Sequence, residues 1–421
     1  MRLNIHDYSG HPFQVQLSRD LAARGHDVLH GYSTQYVTGH GNLQVGPHDS
    51  STLQIEGITA EAEMVKYSPV GRMRFEMSYA QAWQRALDEQ SHDVVVACNV
   101  PMFALARMRR YFERRNQRWV LWHQDVHSLG VAAEADRKLP GQLAGVTSRQ
   151  AQRVEAAQVR SADAVVAIGD GFVVQYRDWG VPTRNVHVIK NWAPLNELVP
   201  GARDNAWSRR QGLPVDAVRL LYAGTLGRKH NPQLLLELLD AVRARGVNAI
   251  LTVVSEGVGA DDLRAAADGR SDVRVLGYQP AQELSDVLAS ADAVIALLEP
   301  DAAQFSVPSK VLSYLSAGRP IIALVPGGNP AALDVDNAGG CVAPPTVGGA
   351  HAAADWLCEV VKDPEGLALL GKKARHLAER RFNIERIGDR FEAILFEAAD
   401  RSRRVGSAFS AVHVSPARAI A

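Results

Sequence analysis

Short apolar runs alternate along the first half of the chain with stretches in which apolar residues recur every three or four positions. "RLNIHDY" (2–8), "HDVLHGYS" (26–33), "DVVVACN" (93–99), "RWVLWHQD" (118–125), "DAVVAIGD" (163–170) and "VHVIKNWAP" (186–194) predict strands. Short β-type runs alternating with amphipathic helices argue for a mostly parallel sheet covered on both faces. "PFQVQLSRDLAARG" from Pro12 predicts the first helix, with Gly25 as its C-cap. A second series, "VRLLYAGTLG" (218–227), "AILTVVSEG" (249–257), "VRVLGY" (273–278), "DAVIALLE" (292–299), "PIIALVPGG" (320–328) and "GGCVAPP" (339–345), repeats the design. The fold class is therefore α/β, two doubly wound sheets, with ligands expected in a cleft at the carboxyl ends of the strands.

Between the two series, "NWAPLNELVPGARDNAW" carries Pro194, Pro200 and Gly201 and has the composition of a linker. From 363 the pattern is helical, with a break around Phe382 and Asn383, after which a second helix is free to cross back to the first domain. The expected domains are 1–197, completed by the helix 384–400, and 198–383; residues 401–421, with four arginines and no acidic residue, read as a flexible basic tail.

Composition narrows the class. With 421 residues, 46% hydrophobic and 22% charged, the chain is long enough for two cores and has the balance of a soluble globular protein. Zero formal net charge argues against nucleic acid as a partner. The three cysteines, Cys98, Cys341 and Cys358, lack CxxC spacing and suggest neither a disulfide framework nor a zinc site. No apolar run is long enough for a signal peptide or a membrane span, so the expected location is the cytoplasm. In "RMRRYFERRNQR", Arg107, Arg110, Arg114 and Arg118 recur at helical spacing. That face is a solvated surface, or a contact for a phosphorylated acceptor or for anionic lipid; the last would place the protein peripherally on the inner face of the membrane.

The candidate chemistry lies in the loops after the strands. "FSVPSKVLSYLSAGRP" (305–320) predicts a helix, with Ser306 as cap, Pro308 in its first turn and Gly318 and Pro320 as its stop. Ser309 and Lys310 stand at its entrance, where backbone N–H groups favour an anion. In "YAGTLGRKHNP", Gly224 and Gly227 precede Arg228 and Lys229, a cation pair suited to a diphosphate. Glu256 lies in the glycine-rich "VVSEGVG", and Tyr278 with Gln279 can meet a nucleobase. Gly10 sits in the loop after the first strand, outside any GxGxxG fingerprint, so a nicotinamide dinucleotide is not expected. "LWHQDVHS" offers His123, Asp125 and His127. A metal pair, a general base, a sugar clamp and a structural histidine bonded to a carboxylate compete there; sugar binding or orientation is preferred.

These motifs together resemble family 4 of the glycosyltransferases, which have the GT-B fold. The resemblance covers about residues 2–395 and rests on "RDLAARGHDV", "ADAVVAIGDGF", "LLYAGTLGRKHNP", "VRVLGYQPAQELSDVLASADAVIALL" and "SVPSKVLSYLSAGRPIIA". "LWHQD" with "KNWAP" and "PSK" is most similar to bacterial transferases of exopolysaccharide and O-antigen assembly, the colanic-acid type included. The resemblance implies a UDP or GDP sugar on the C-terminal domain and a glycan, lipid-linked in the usual case, on the N-terminal one. It implies transfer with retention, no metal and no further cofactor. Arg228 and Lys229 would neutralise the leaving diphosphate, Gly10 would face it, His123 would stand near the donor sugar and Asp125 would orient the acceptor. Phe305 and Ser313 occupy positions where most relatives keep glutamates, so Ser306, Ser309, Lys310 and Ser313 would take over contacts to phosphate, ribose or sugar. A nucleotide-sugar epimerase and a non-catalytic nucleotide-sugar binder are the alternatives on the same fold.

Overall fold

The computed structural model describes residues 1–36, 41–63, 69–227, 230–299 and 310–400. Arg228, Lys229, Phe305, Ser306, Pro308, Ser309 and the tail 401–421 lie outside the described residues. The chain divides into two units, one of Met1–Ile189 with the segment from Glu385, the other Lys190–Ile384.

In the first unit, β1 (Arg2–Asp7), α1 (Pro12–Ala23), β2 (Asp27–Ser33), β3 (Leu53–Ile58), α2 (Pro69–Glu89), β4 (Val94–Cys98), α3 (Met102–Arg115), β5 (Trp119–His123), α4 (His127–Lys138), α5 (Gly141–Ser161), β6 (Ala164–Ala167), α6 (Asp170–Asp178) and β7 (Val186–Val188) follow in order. The strands form one seven-stranded parallel sheet in the order β3-β2-β1-β4-β5-β6-β7. β4 and β5 are buried at every position, as the apolar runs predict.

Three details differ from the sequence reading. β3, "LQIEGI", is an edge strand whose Gln54, Glu56 and Gly57 are wholly or partly exposed, so it lacks the unbroken apolar run of its neighbours. Arg24 caps α1, and Gly25 follows at φ +89. Arg118 does not share the basic helix face: α3 ends at Arg115, Asn116 turns left-handed at φ 49, and Arg118 is buried before β5 with Nη1 2.8 Å from Asp163. Arg107, Arg110 and Arg114 remain on that face, while Arg109 pairs with Glu113 and Arg115 with Asp88.

The second unit contains α7 (Ala206–Arg210), β8 (Val218–Ala223), α8 (Gln233–Ala244), β9 (Ala249–Val254), α9 (Val258–Ala266), β10 (Val273–Leu276), α10 (Leu284–Ala289), β11 (Ala293–Leu297), α11 (Lys310–Ser316), β12 (Ile321–Leu324), α12 (Pro330–Asn337), β13 (Cys341–Ala343), α13 (Val347–Val360) and α14 (Pro364–Arg381). Its six parallel strands run β10-β9-β8-β11-β12-β13. Leu234, Leu235, Leu238 and Leu239 of α8 pack with Ala350, Ala353, Ala354 and Leu357 of α13 in one apolar core. The linker stretch packs with this unit from Lys190 onward. Ala193 N donates to Phe382 O at 2.8 Å, and Arg375 reaches the carbonyls of Leu195 and Leu198. From Glu385, α15 (Ile384–Ala399) belongs to the first unit, where Phe391 stacks edge-on against Trp122.

In both sheets the chain reverses its direction of strand addition once, between β1 and β4 and between β8 and β11. Adjacent loops diverge at such switch points and leave a crevice at the carboxyl ends of the strands.

His30, wholly buried on β2, bonds Ser18 Oγ at 2.8 Å through Nδ1. Burial, aided by the charge of Arg19, pushes it down to about 3. It is thus neutral in the fold but protonates in the unfolded chain below its ordinary value near 6.5. Its stabilising contribution is complete above that pH and is lost as pH falls toward 3. Between pH 6.5 and 5 the loss from His30 is about 2 kcal/mol; urea titrations at the two pH values should show this difference shrinking by that amount in His30→Gln.

Candidate functional site

At the β8/β11 switch point a short helix is fixed by one hydroxyl. Tyr314 of α11 is fully buried; its Oη accepts from Ala223 N at 3.1 Å and lies 3.0 Å from Ala223 O and 3.1 Å from Ile295 O. One proton serves either carbonyl, so the helix is tied to both central strands. One turn earlier, Lys310 places Nζ 4.0 Å from the centre of the Tyr222 ring and donates to the Tyr222 hydroxyl. Gly224 stands at φ +133, a backbone conformation that L side chains rarely adopt, and a Cβ there would press on Lys310 Cε at 3.2 Å. Burial pushes Lys310 down to about 7. Among the described residues no carboxylate lies within 4.0 Å of its ammonium. A cation in that setting gains most from an anionic ligand.

The neighbouring loops are held together by backbone contact. Leu226 N donates to Ser255 Oγ at 3.0 Å, and Gly259 N to Leu226 O at 3.0 Å. A Cβ on Gly259 would stand 2.9 Å from that oxygen, so a larger residue would part the loops. Glu256 is exposed, with Oε1 accepting from Tyr278 N at 3.4 Å. Tyr278 is 43% exposed, and its hydroxyl bonds Thr225 Oγ1, so the ring bridges the loops after β8 and β10. The amide of Gln279 is engaged with Trp207 Nε1 and Gly277 O, each at 3.0 Å. The Tyr278 ring itself stays exposed. Ser313 lies three residues after Lys310 on the same face of α11 and is partly buried. Lys310, Gly224, Glu256, Tyr278 and Ser313 thus belong to loops and helix starts at one end of one sheet.

The first unit arranges carboxylates at the corresponding place. Asp7, fully buried at the end of β1, accepts from His11 N at 2.5 Å, Ser9 N at 3.4 Å and Asn99 Nδ2 at 2.6 Å. Burial raises its carboxyl, with His11 and Asn99 opposing. Gly10 turns the loop at φ +66, and its carbonyl accepts from Gly41 N at 2.8 Å.

His123 ends β5 with both ring nitrogens engaged. Nδ1 is 2.6 Å from Tyr176 Oη, and Nε2 is 3.1 Å from Glu155 Oε1. With Glu155 ionised, Nε2–H donates to it, and Nδ1 shares a hydrogen bond with Tyr176 Oη, so both ring nitrogens are satisfied inside the protein. Glu155, 2% exposed, also accepts from His127 N at 2.8 Å and Ser128 N at 2.9 Å, which closes the start of α4. Burial drives its carboxyl up, but His123 and the Ser128 bonds outweigh it and hold the group at about 2. Of the alternatives named for His123, the bond to a carboxylate is present in the structure. Asp125 is exposed in the same loop, and His127 is partly buried beside it. Asn99, His123, Asp125, His127 and Glu155 line a hollow of about 10 Å³, the size of one water. Among the described residues no three His, Cys, Asp or Glu side chains converge as a metal-binding group.

The sequence reading missed Glu155, Tyr176, Tyr222 and Tyr314. The tyrosines sit at helix or strand positions that read as core. Glu155 stands mid-helix, 32 residues from His123, with no local signal.

Comparison with known proteins now bears on this arrangement. The glycosyl transferases group 1 family matches residues 217–363, and the glycosyl transferase 4-like domain matches residues 11–192. Between them these cover most of both units. The chain belongs to the GT4-like, group 1 glycosyltransferases. Among curated relatives, it is 31% identical over 235 residues to D-inositol 3-phosphate glycosyltransferase of Saccharomonospora viridis, covering 51% of this chain and 50% of that one. It is 25% identical over 236 residues to WcaI of Escherichia coli K12, named for colanic acid biosynthesis, covering 54% and 56%. The chain thus spans about half the length of the curated relatives it matches. Among solved structures, sucrose-phosphate synthase from Thermosynechococcus elongatus superposes with a TM-score of 0.69 at 18% identity, covering 97% of this chain and 100% of that one. HepE from Anabaena, in complex with UDP-glucose, gives 0.66 at 16%, covering 94% and 99%. The fold of this glycosyltransferase chain is GT-B.

Replacing Glu155 by Leu leaves His123 Nε2–H and two backbone N–H groups buried without an acceptor. The expected cost is about 3–5 kcal/mol in chemical denaturation, with Glu155→Gln milder because one amide oxygen remains; an unchanged Glu155→Leu midpoint would refute the assignment.

Proposed function

We propose that this chain transfers a sugar from a UDP or GDP donor to a glycan acceptor, lipid-linked in bacterial surface or exopolysaccharide assembly, with retention of anomeric configuration. The observation that carries the reading is Lys310: a desolvated cation held against Tyr222 at the β8/β11 switch point, without a carboxylate within reach among the described residues. A diphosphate supplies the charge this position favours.

In this reading the bond from the anomeric carbon to the diphosphate oxygen breaks, and the charge that develops on the leaving group is taken up by Lys310 together with Arg228 and Lys229. The latter two follow directly on Gly227 in the chain. The acceptor oxygen bonds the same face of the sugar and passes its proton to the departing diphosphate oxygen. Protein cations carry the electrostatic work, and neither metal nor further cofactor is assigned. Tyr278 and Glu256 are assigned to the base and ribose side, and Ser306, Ser309 and Ser313 to phosphate, ribose or sugar hydroxyls. Gly10 is assigned to the donor diphosphate and Asp125 to the acceptor, and His123 positions the Asp125 loop through Glu155. HepE crystallised with UDP-glucose and WcaI named for colanic acid synthesis support the donor and acceptor classes.

A non-catalytic binder is the second reading, favoured by Phe305 and Ser313 at the family's glutamate positions. Incubating each UDP and GDP sugar with envelope lipid extract decides between them: transfer supports the enzyme, donor binding without product the binder. Epimerised donor would indicate the third alternative.

Among the described residues no helix is long and apolar enough to cross a membrane. We assign the chain to the cytoplasm, with Arg107, Arg110 and Arg114 as the contact for anionic lipid. Binding to phosphatidylglycerol vesicles should then weaken as salt rises and fall further in Arg110→Glu/Arg114→Glu; salt-insensitive or absent binding refutes it.

Lys310→Met should weaken binding of the preferred nucleotide sugar on the order of 100-fold, about 3 kcal/mol. Because the free lysine titrates near 7 and a bound diphosphate restores its proton, wild-type binding at pH 8.5 should take up a proton. Calorimetry in two buffers of different ionisation enthalpy reads this directly. No buffer dependence, or the same dependence in Lys310→Met, would count against Lys310 as the phosphate cation.

A further inference from the structure

A cavity of about 490 Å³ opens in the second unit at the amino ends of β11 and β12, the opposite end of the sheet from Lys310. Asp292, which precedes β11, and Arg319 and Pro320, which precede β12, form one wall; Gly201 and α14 form the rest. Strands of four and five residues separate it from the Lys310 end, about 15 Å at the rise of an extended chain.

Its charges do not cancel. Asp292 is spent on Arg203 Nε at 2.8 Å and Arg219 N at 2.8 Å. Arg375 is spent on Glu379 at 2.7 Å and on the carbonyls of Leu198 and Ser316. Arg319 gives Nη2 to Gly201 O at 2.5 Å, but its Nε is shielded from solvent and has no hydrogen-bond partner among the described residues. Burial lowers the Arg319 guanidinium from its ordinary value; the charge of Asp292 opposes this and that of Arg203 adds to it, and a further anion in the cavity would oppose it more. Lys372, on the facing surface of α14, is exposed and joins no ion pair among the described residues. Pro200, Pro320, Leu367 and Ala368 supply an apolar floor between these cations.

We propose that this cavity binds a small organic phosphate monoester of sugar-phosphate size, with Arg319 and Lys372 on the phosphate and the proline and leucine surface against the carbon skeleton. The volume is that of a small-molecule site and exceeds what an inorganic anion fills. A phosphate matches one guanidinium N–H and one ammonium in the way charge-assisted bonds require. A neutral sugar would leave both cations unanswered. This assignment is independent of the donor reading, because none of its residues lies at the Lys310 end.

The test is calorimetric titration of the full chain with glucose 6-phosphate, glucose and inorganic phosphate in turn, repeated with saturating UDP present. Glucose 6-phosphate is expected to bind in both conditions, glucose not at all, and inorganic phosphate more weakly. Lys372→Glu, an exposed change, should weaken glucose 6-phosphate at least about tenfold by charge reversal, Arg319→Gln likewise, and Lys310→Met not at all. Three outcomes overturn the proposal: no binding up to about 10 mM, where a ligand of lower affinity shifts stability little; loss of binding in Lys310→Met or on adding UDP; or inorganic phosphate binding as tightly as the sugar phosphate.

Discussion

The hydroxyl of Tyr314 is the constraint on which the second unit's site depends. It lies between the backbones of β8 and β11, the strands where the direction of strand addition reverses, and it fixes a helix of only seven residues. A helix that short has little stability of its own, so its position is set by tertiary bonds. With Tyr314 in place, Lys310 one turn away is carried onto the ring of Tyr222, close beside Gly224 at φ +133. The cation's low proton affinity follows from that placement.

The first unit answers the same topological problem with the opposite charge. Asp7 at the β1/β4 switch point and Glu155 behind β5 are buried carboxylates, each accepting bonds from several donors of a loop. Removing a buried carboxylate from such a set costs more than any one bond, since every donor is orphaned together. Loops fixed in this way can present Gly10 and Asp125 without freezing Asp125 itself, which stays exposed. One unit thus holds its loops by internal anions, while the other leaves a cation open to a ligand.

Much of this was legible in the chain. The six strands of the second unit, and the first unit's strands other than β3, were visible as short β-type runs, unbroken where a strand such as β4, β5, β9 or β11 is buried at every position. β3 was not, since an edge strand with one wet face carries Gln54 and Glu56 in its place. Arg118 matched helical spacing, but spacing alone does not reveal that the helix ends at Asn116 and that the guanidinium turns inward to Asp163. His123 was found as a polar residue closing an apolar strand; its partners could not be, because Glu155 and Tyr176 come from other helices.

The sequence by itself determined the two parallel sheets and the family, because strand pattern, glycine placement and motif order are written locally. Only the tertiary structure decided which polar residues are spent and which are available. Whether a histidine meets a carboxylate or a ligand, and whether a lysine is solvated or pressed onto a tyrosine, depends on residues 32 and 88 positions away. Those distances in sequence are closed by sheet order, which no local pattern encodes.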